Sequence, residues 1–210
     1  MQTILKRLGQ KDRQAIRQVL NIYHDVDKET LRFARRTHIS CPPRCGLCCQ
    51  SPKVEASVLE MLPLAVKLWS EEKGMSCLEN IEKKHAQKRC FFFDPDPHNA
   101  FQGRCGAYQW RPLICRLFGF SLNKNKYGSY AYSGCKTINH ALAEGHFDLT
   151  KLTQSKIPLT TMANFTMRLS GISTSRYDTK PLAINMAIKF ALEKIGFELE
   201  KHQWKCRIKQ

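Results

Sequence analysis

Apolar residues recur near the N-terminus at Ile16, Val19, Ile22 and Val26, with Arg, Gln, Asn and Asp among the residues between them. This spacing of three, three and four marks one face of an amphipathic helix turned toward a core. The first forty residues therefore read as helix. The pattern loosens near Asp27–Glu29, and the segment is expected to end before Cys41-Pro42-Pro43, where consecutive prolines bar helix continuation. A second stripe, Val58, Leu62, Val66 and Trp69, predicts helix over Val54–Gly74. Pro63 inside it predicts a kink or a fresh start, and Gly74 a C-terminal stop. A short polar helix is expected over Ser76–Lys88. Past Cys135, helices are predicted over Thr137–Glu144, Thr160–Ser170 and Pro181–Lys201. The last carries Ile184, Ile188, Leu192, Ile195 and Leu199 on one face, with Pro181 near its start.

Two stretches break this periodicity. Residues 41–53 form a loop with four cysteines. The second irregular stretch, Cys90–Cys135, contains Asp94-Pro95-Asp96-Pro97, which is turn chemistry. Within it, Arg111-Pro112 can open a short helix through Cys115 and Arg116, with Pro112 at its first position. Tyr127–Tyr132 alternates weakly and reads as a short strand or hairpin arm. The fold class expected is mainly α, with helices surrounding a loop-rich, cysteine-ligated metal-binding centre. Residues 1–40 are an N-terminal helical segment, 41–135 the cysteine-cluster domain, and 136–210 a C-terminal helical segment packed on it as one globular unit.

Composition bounds the class. The chain has 210 residues, 42% of them apolar, enough for a core and too many for disorder. No apolar run reaches the roughly 18 residues of a membrane span. The N-terminal MQTILKRLGQKDRQ lacks the apolar region of a signal peptide, so a cytoplasmic location is expected. In a reducing compartment, clustered thiols bind metal or do redox chemistry more often than they form disulfides. Ten cysteines are present; Cys77 and Cys206, in or beside helical stretches, read as small hydrophobes.

The other eight are the candidate metal ligands: Cys41, Cys45, Cys48 and Cys49 in the first loop, and Cys90, Cys105, Cys115 and Cys135 in the second. Thiols two or three residues apart can converge on one metal at about 2.3 Å, with Gly46 permitting the tight turn. Adjacent Cys48 and Cys49 are expected to point in different directions, which suggests more than one metal or a multinuclear centre. Two four-cysteine sites, or one cluster with spare cysteines, both satisfy the count. His38 and His98 are alternate ligands by position; a bland role is the more frequent one for any single histidine. Cys41-x3-Cys45-x2-Cys48 also has the radical S-adenosylmethionine spacing. The aromatic residue usual before its third cysteine is replaced by Leu47, and no βα-barrel pattern accompanies it. Irregular spacing favours an iron–sulfur cluster slightly over Zn, since only Cys45–Cys48 has zinc-knuckle spacing. No Ser/His/Asp arrangement or paired carboxylates support hydrolase chemistry.

Cys41-x3-Cys45-Gly46-x-Cys48-Cys49, then Cys90-Phe-Phe-Phe, then Gly103-Arg-Cys105-x2-Tyr108-x2-Arg111-Pro112-x2-Cys115-Arg116, resembles the YkgJ-type cysteine-cluster family, described as zinc- or iron-chelating. The resemblance spans roughly Cys41–Cys135. Phe93 departs from it, standing where an aliphatic residue is usual, and Asp94–Gln102 makes a longish loop. It implies metal binding without a reaction. The family also includes flagellin lysine methylases, so a redox or group-transfer enzyme is the alternative reading. Arg111 and Arg116 are then candidates to donate hydrogen bonds to thiolates or offset their charge, and Tyr108 to pack over the site. A local salt bridge or core packing is the plainer role for each.

The net charge of +16 divides as +5, +5 and +6 over residues 1–40, 41–135 and 136–210. Arg32, Arg35 and Arg36 form a local basic cluster. A dispersed basic surface is compatible with an acidic protein or nucleic-acid partner, the second alternative function being a basic nucleic-acid binder with a structural metal. No RNP-like or finger motif supports nucleic-acid recognition.

Overall fold

Helix formation starts at the N-terminus but does not run unbroken as the periodicity predicts. In the computed structural model, which describes residues 1–38, 40–41, 45–83, 89–99, 102–120, 122–124, 126–127, 130–132, 135, 162–172 and 179–208, α1 (Gln2–Arg7) and α2 (Gln10–Thr37) are separate. Leu8 and Gly9 are extended between them, and Gly9 is the N-cap of α2. Ile16, Val19, Ile22 and Val26 are buried as expected, joined by Tyr23. α2 stops at His38, whose φ of 56° is left-handed, ahead of the cysteine loop.

The short helix α3 (Leu47–Gln50) precedes strand β1 (Glu55–Ala56), which replaces the predicted helical start at Val54. α4 (Val58–Ser70) begins where Ser57 supplies a capping box: its hydroxyl accepts from the Glu60 amide while the Glu60 carboxylate accepts from the Ser57 amide. Every residue from Val58 to Val66 is buried, so α4 is the central helix rather than an amphipathic one. Pro63 neither stops it nor restarts it; the helix runs through. α4 ends near Glu71, with Glu72 at φ 60°, and Gly74 opens α5 (Gly74–Lys83) instead of closing α4. That glycine is required by space: a Cβ there would lie 2.3 Å from the Trp69 indole.

The middle of the chain holds hairpin β2 (Phe93–Pro95)–β3 (Gly103–Cys105), a 3-10 turn (Tyr108–Trp110) and α6 (Leu113–Leu117), for which Pro112 is the N-cap. Strands β4 (Leu122–Lys124) and β5 (Tyr130–Tyr132) pair antiparallel, as the weak alternation predicts. α7 (Met162–Ser170) agrees with its predicted position; Thr137–Glu144 lies outside the described residues. Strand β6 (Leu182–Ala183) pairs with β1, so α8 (Ile184–Ile208) starts three residues after Pro181. Ile184, Ile188, Leu192, Ile195 and Leu199 are buried, and α8 packs along α4. The Trp69 indole donates to the Leu192 carbonyl at 2.9 Å, its ring against Gly196. The molecule is mainly helical around a cysteine-bearing, loop-rich centre. Among the described residues no helix is long and apolar enough to cross a membrane.

One buried carboxylate ties three of these helices. Glu60 accepts from the Ser57 amide and hydroxyl, both at 2.8 Å, and from the Leu113 amide at 2.9 Å, the first N–H of α6. Its own carbonyl accepts from the buried Tyr23 hydroxyl of α2 at 2.7 Å. Burial pushes the Glu60 carboxyl above its ordinary range, and the same hydrogen bonds pull it back. Glu60→Ala strands two buried amides and a hydroxyl. The expected cost is about 3 kcal/mol, read as a lower urea midpoint at constant metal content; Glu60→Gln, retaining one acceptor oxygen, should cost less.

Candidate metal centre

Cys48 and Cys49 lie on α3, with Gly46 as its N-cap at φ −109°, a conformation open to any residue. The turn itself does not demand glycine. Space does: a Cβ on Gly46 would stand 2.4 Å from the Phe93 ring and 2.7 Å from the Gly103 carbonyl. A Cβ on Gly103 would likewise stand 2.4 Å from the Asp94 carbonyl. The β2–β3 hairpin is therefore laid directly on the Cys48–Cys49 turn. Phe93, the departure from the family pattern, is the ring that fills this contact, and it pairs in register with Cys105.

Five thiols from four chain segments come together here. Cys48 shares side-chain hydrogen bonds with Cys49 and Cys115, and Cys49 with Cys90 and Cys105 as well. The adjacent pair thus does not diverge to separate sites; both sulfurs enter one group. Nor do the two sequence groups stay apart, since Cys48 and Cys49 join Cys90, Cys105 and Cys115. The other described thiols sit to one side: Cys41 is hydrogen-bonded to Cys45 and feels the charge of Cys48 and Cys135. Cys135 is buried, while Cys41 is exposed as a residue. The Cys41 sulfur is nonetheless sheltered, and that desolvation is the first cause raising its thiol to about 12.

The five-thiol group faces a cavity of about 20 Å³ with walls from Val54, Met61, Leu64, Phe92 and Ile188. In that apolar setting four of the thiols shift one another's acidity. Hydrogen bonds from Cys115 and Cys49 hold Cys48 well below the ordinary thiol range. Cys105 is held at about 7, first by its bond with Cys49 and then by the Ala107 amide. Cys49 and Cys115 are correspondingly pushed up by the neighbours they bond to and by burial. Like charges this close cannot all form without a cation among them.

Arg111 supplies one positive charge, lowering both Cys48 and Cys105. Its guanidinium stacks 3.5 Å from the centre of the Tyr108 ring and its Nε donates to the Tyr108 carbonyl at 3.0 Å. Tyr108 is mostly exposed, so it supports Arg111 rather than covering the thiols. Arg116 has the plainer role. Buried at 5% exposure, it donates to the Asp27 carboxylate at 2.5 Å, to the Arg111 carbonyl at 2.8 Å and to the Gln109 carbonyl, over the Tyr23 ring. It fixes the 3-10 turn and α6 against α2, and so sets where Arg111 and Cys115 stand. His38 is the exposed cap of α2, and His98 is exposed in the β2–β3 loop.

Sequence reasoning passed over Asn185. On the first turn of α8, its side-chain oxygen accepts from the Phe91 amide and its amide donates to the Arg89 carbonyl, each at 2.8 Å. These bonds flank Cys90, whose own amide donates to the Cys49 carbonyl at 2.8 Å. A solitary Asn fifty residues past Cys135 carries no periodic or spacing signal. Its one cue is the position just past the strand that starts α8.

The donor set fits a thiophilic metal: sulfur throughout, convergent, largely shielded from water and short of positive charge. Among the described residues no three His, Cys, Asp or Glu side chains already form an ion cage. A metal bound to such thiols would displace their protons. This is the chemistry of a cysteine-cluster, metal-chelating domain.

Residues 40–136, just under half of the chain, match the CxxCxxCC family, described as "Putative zinc- or iron-chelating domain". The matched stretch takes in all eight clustered cysteines, Cys41 to Cys135. Comparison with curated proteins and with solved structures gave no match. Asn185 lies outside the matched stretch yet holds its Cys90 loop. Asn185→Ala should leave the protein folded while weakening metal retention about 10–100-fold, measured by competition with a chromogenic chelator.

Proposed function

We infer that the protein holds an iron–sulfur or zinc centre on Cys48, Cys49, Cys90, Cys105 and Cys115, with Cys41, Cys45 and Cys135 as further ligands beside them. The observation that carries this reading is the hydrogen-bonded group of five thiols in an apolar pocket, with Arg111 as the cation acting on them. One tetrahedral ion uses four thiolates. Five contiguous sulfurs with three more alongside favour a polynuclear centre, and the irregular spacing favours iron–sulfur over a single zinc. When bound, zinc supplies a structural cross-link between the loops, and an iron–sulfur cluster supplies electron transfer. The residues around it orient the sulfurs and exclude water: Phe93 through Gly46 and Gly103, Asn185 through the Cys90 loop, Arg116 through α6.

The space beside the sulfurs is a small one, and that favours a metal-holding or electron-carrying role over a substrate pocket. We place residues 1–40 and 136–210 in one globular unit with the cysteine domain, supported by the packing of α4 between α2 and α8.

Anaerobic purification with elemental analysis and a visible spectrum tests the centre. Iron with labile sulfide and a broad absorption near 400 nm, about that of known clusters, is the expected result. Colourless protein with about two zinc ions overturns the iron–sulfur assignment and retains the thiol centre; metal-free folded protein overturns both. Cys48→Ser should lower bound metal by at least about half, and Cys77→Ser should leave it unchanged. Unchanged metal in Cys48→Ser refutes the ligand assignment.

A further inference from the structure

Helix α2 turns a second face outward, away from its buried stripe. Arg17, Asn21, His24, Lys28, Arg32 and Arg35 are all exposed and recur at spacings of four, three, four, four and three. At 1.5 Å per residue they form one polar stripe about 27 Å long. No carboxylate stands in it. The four acids of α2 lie off this line, and each is paired: Asp12 with Lys194 at 3.8 Å, Asp25 with Arg168 at 2.5 Å, Asp27 with Arg116 at 2.5 Å, and Glu29 with Arg32.

A charged stripe by itself is an ordinary solvated face, but what adjoins this one is not ordinary. Its C-terminal half borders a groove of about 450 Å³ between α2 and the 3-10 turn, walled by Leu31, Ala34, Tyr108, Gln109, Arg111 and Phe120. Leu31 and Tyr108 stay 52% and 55% exposed there, an apolar side chain and a flat ring left in water beside a row of cations. Leu31 joins the two surfaces, three residues after Lys28 and one helical turn before Arg35. The Arg111 guanidinium backs the Tyr108 ring, so that ring is held in place while open to a partner.

We propose that α2 and this groove bind single-stranded nucleic acid, with phosphates along Lys28, Arg32 and Arg35 and a base turned over Leu31 onto the Tyr108 ring. Cations that track a backbone, beside a ring on which a base stacks, are the two parts that strand binding combines. A duplex keeps its bases stacked on one another and offers its phosphates, leaving the groove unfilled. An acidic protein offers carboxylates with no flat face for the ring. An anionic membrane calls for an apolar edge, and the stripe has none. The contact uses α2 and the 3-10 turn and no thiol, so it stands whatever metal the centre holds.

Fluorescence anisotropy of the full chain as purified, with a labelled mixed-sequence strand of about 16 nucleotides as DNA and as RNA, tests it. Both strands should bind, the tighter of the two identifying the sugar preferred, and the same sequence as a duplex should bind at least about tenfold more weakly. Four cations, Arg17 among them, give a log–log salt slope of about −3, an affinity loss of roughly 50-fold between about 50 and 200 mM salt. Lys28→Ala together with Arg35→Ala should halve that slope. Tyr108→Ala should weaken binding about tenfold or more with the slope unchanged, and Tyr108→Phe should not. Leu31→Glu, on the exposed side of α2, should weaken binding as much while metal content and melting temperature match the parent. No strand binding at low salt overturns the proposal, whether or not phosphatidylserine vesicles bind. A duplex bound as tightly as the strand overturns it too, as does a strand bound equally by the parent, Leu31→Glu and Tyr108→Ala.

Discussion

The buried carboxylate of Glu60 is the constraint on which the remaining structure rests. A carboxylate removed from water has to be surrounded by donors, and here each donor belongs to a different structural task. Ser57 starts the central helix, Leu113 starts the helix that carries Cys115, and Tyr23 locks the long N-terminal helix to the Glu60 carbonyl. Arg116 repeats the device one layer further out. It is a buried cation satisfied by Asp27 and two carbonyls, and removing any of these partners would leave a charge exposed to an apolar interior.

Between these two anchors the thiols have little freedom. The β2–β3 hairpin is pressed on the Cys48–Cys49 turn through two glycines, and α8 grips the Cys90 loop through Asn185. The cost of the arrangement is electrostatic. Burial and neighbouring sulfurs push the Cys49 and Cys115 thiols up, while Arg111 helps to lower Cys48 and Cys105. A metal cation bound to these thiols would replace their protons with metal–sulfur bonds.

Much of the helical content was legible because it depends on local period. The stripe Ile16–Val26 and the stripe Ile184–Leu199 face the core as read. The errors came where a distant partner decides. Gly74 resembles a stop signal, yet Trp69 is what requires it. Pro63 resembles a break, yet α4 runs through it. Gly46 resembles a turn glycine, and its real reason is the Phe93 ring forty-seven positions away. Arg116 stood in a motif full of cysteines and turned out to serve Asp27 and the backbone; only the packing of α2 against α6 could reveal that.

Amino-acid order alone marked most of the described helices, the two irregular stretches and a thiol-based metal chemistry, because periodicity, proline and thiol spacing are properties of neighbouring residues. The match of residues 40–136 to the family model follows from the same local pattern. The tertiary structure alone decided which thiols meet. Cys48 and Cys49 had been grouped with Cys41 and Cys45 by proximity along the chain, and folding unites them with Cys90, Cys105 and Cys115. The reason is that thiol contact depends on how hairpin, helix and loop stack in space, and the partners that fix this stacking (Glu60 with Leu113, Gly46 with Phe93, Asn185 with the Cys90 loop) lie far apart along the chain.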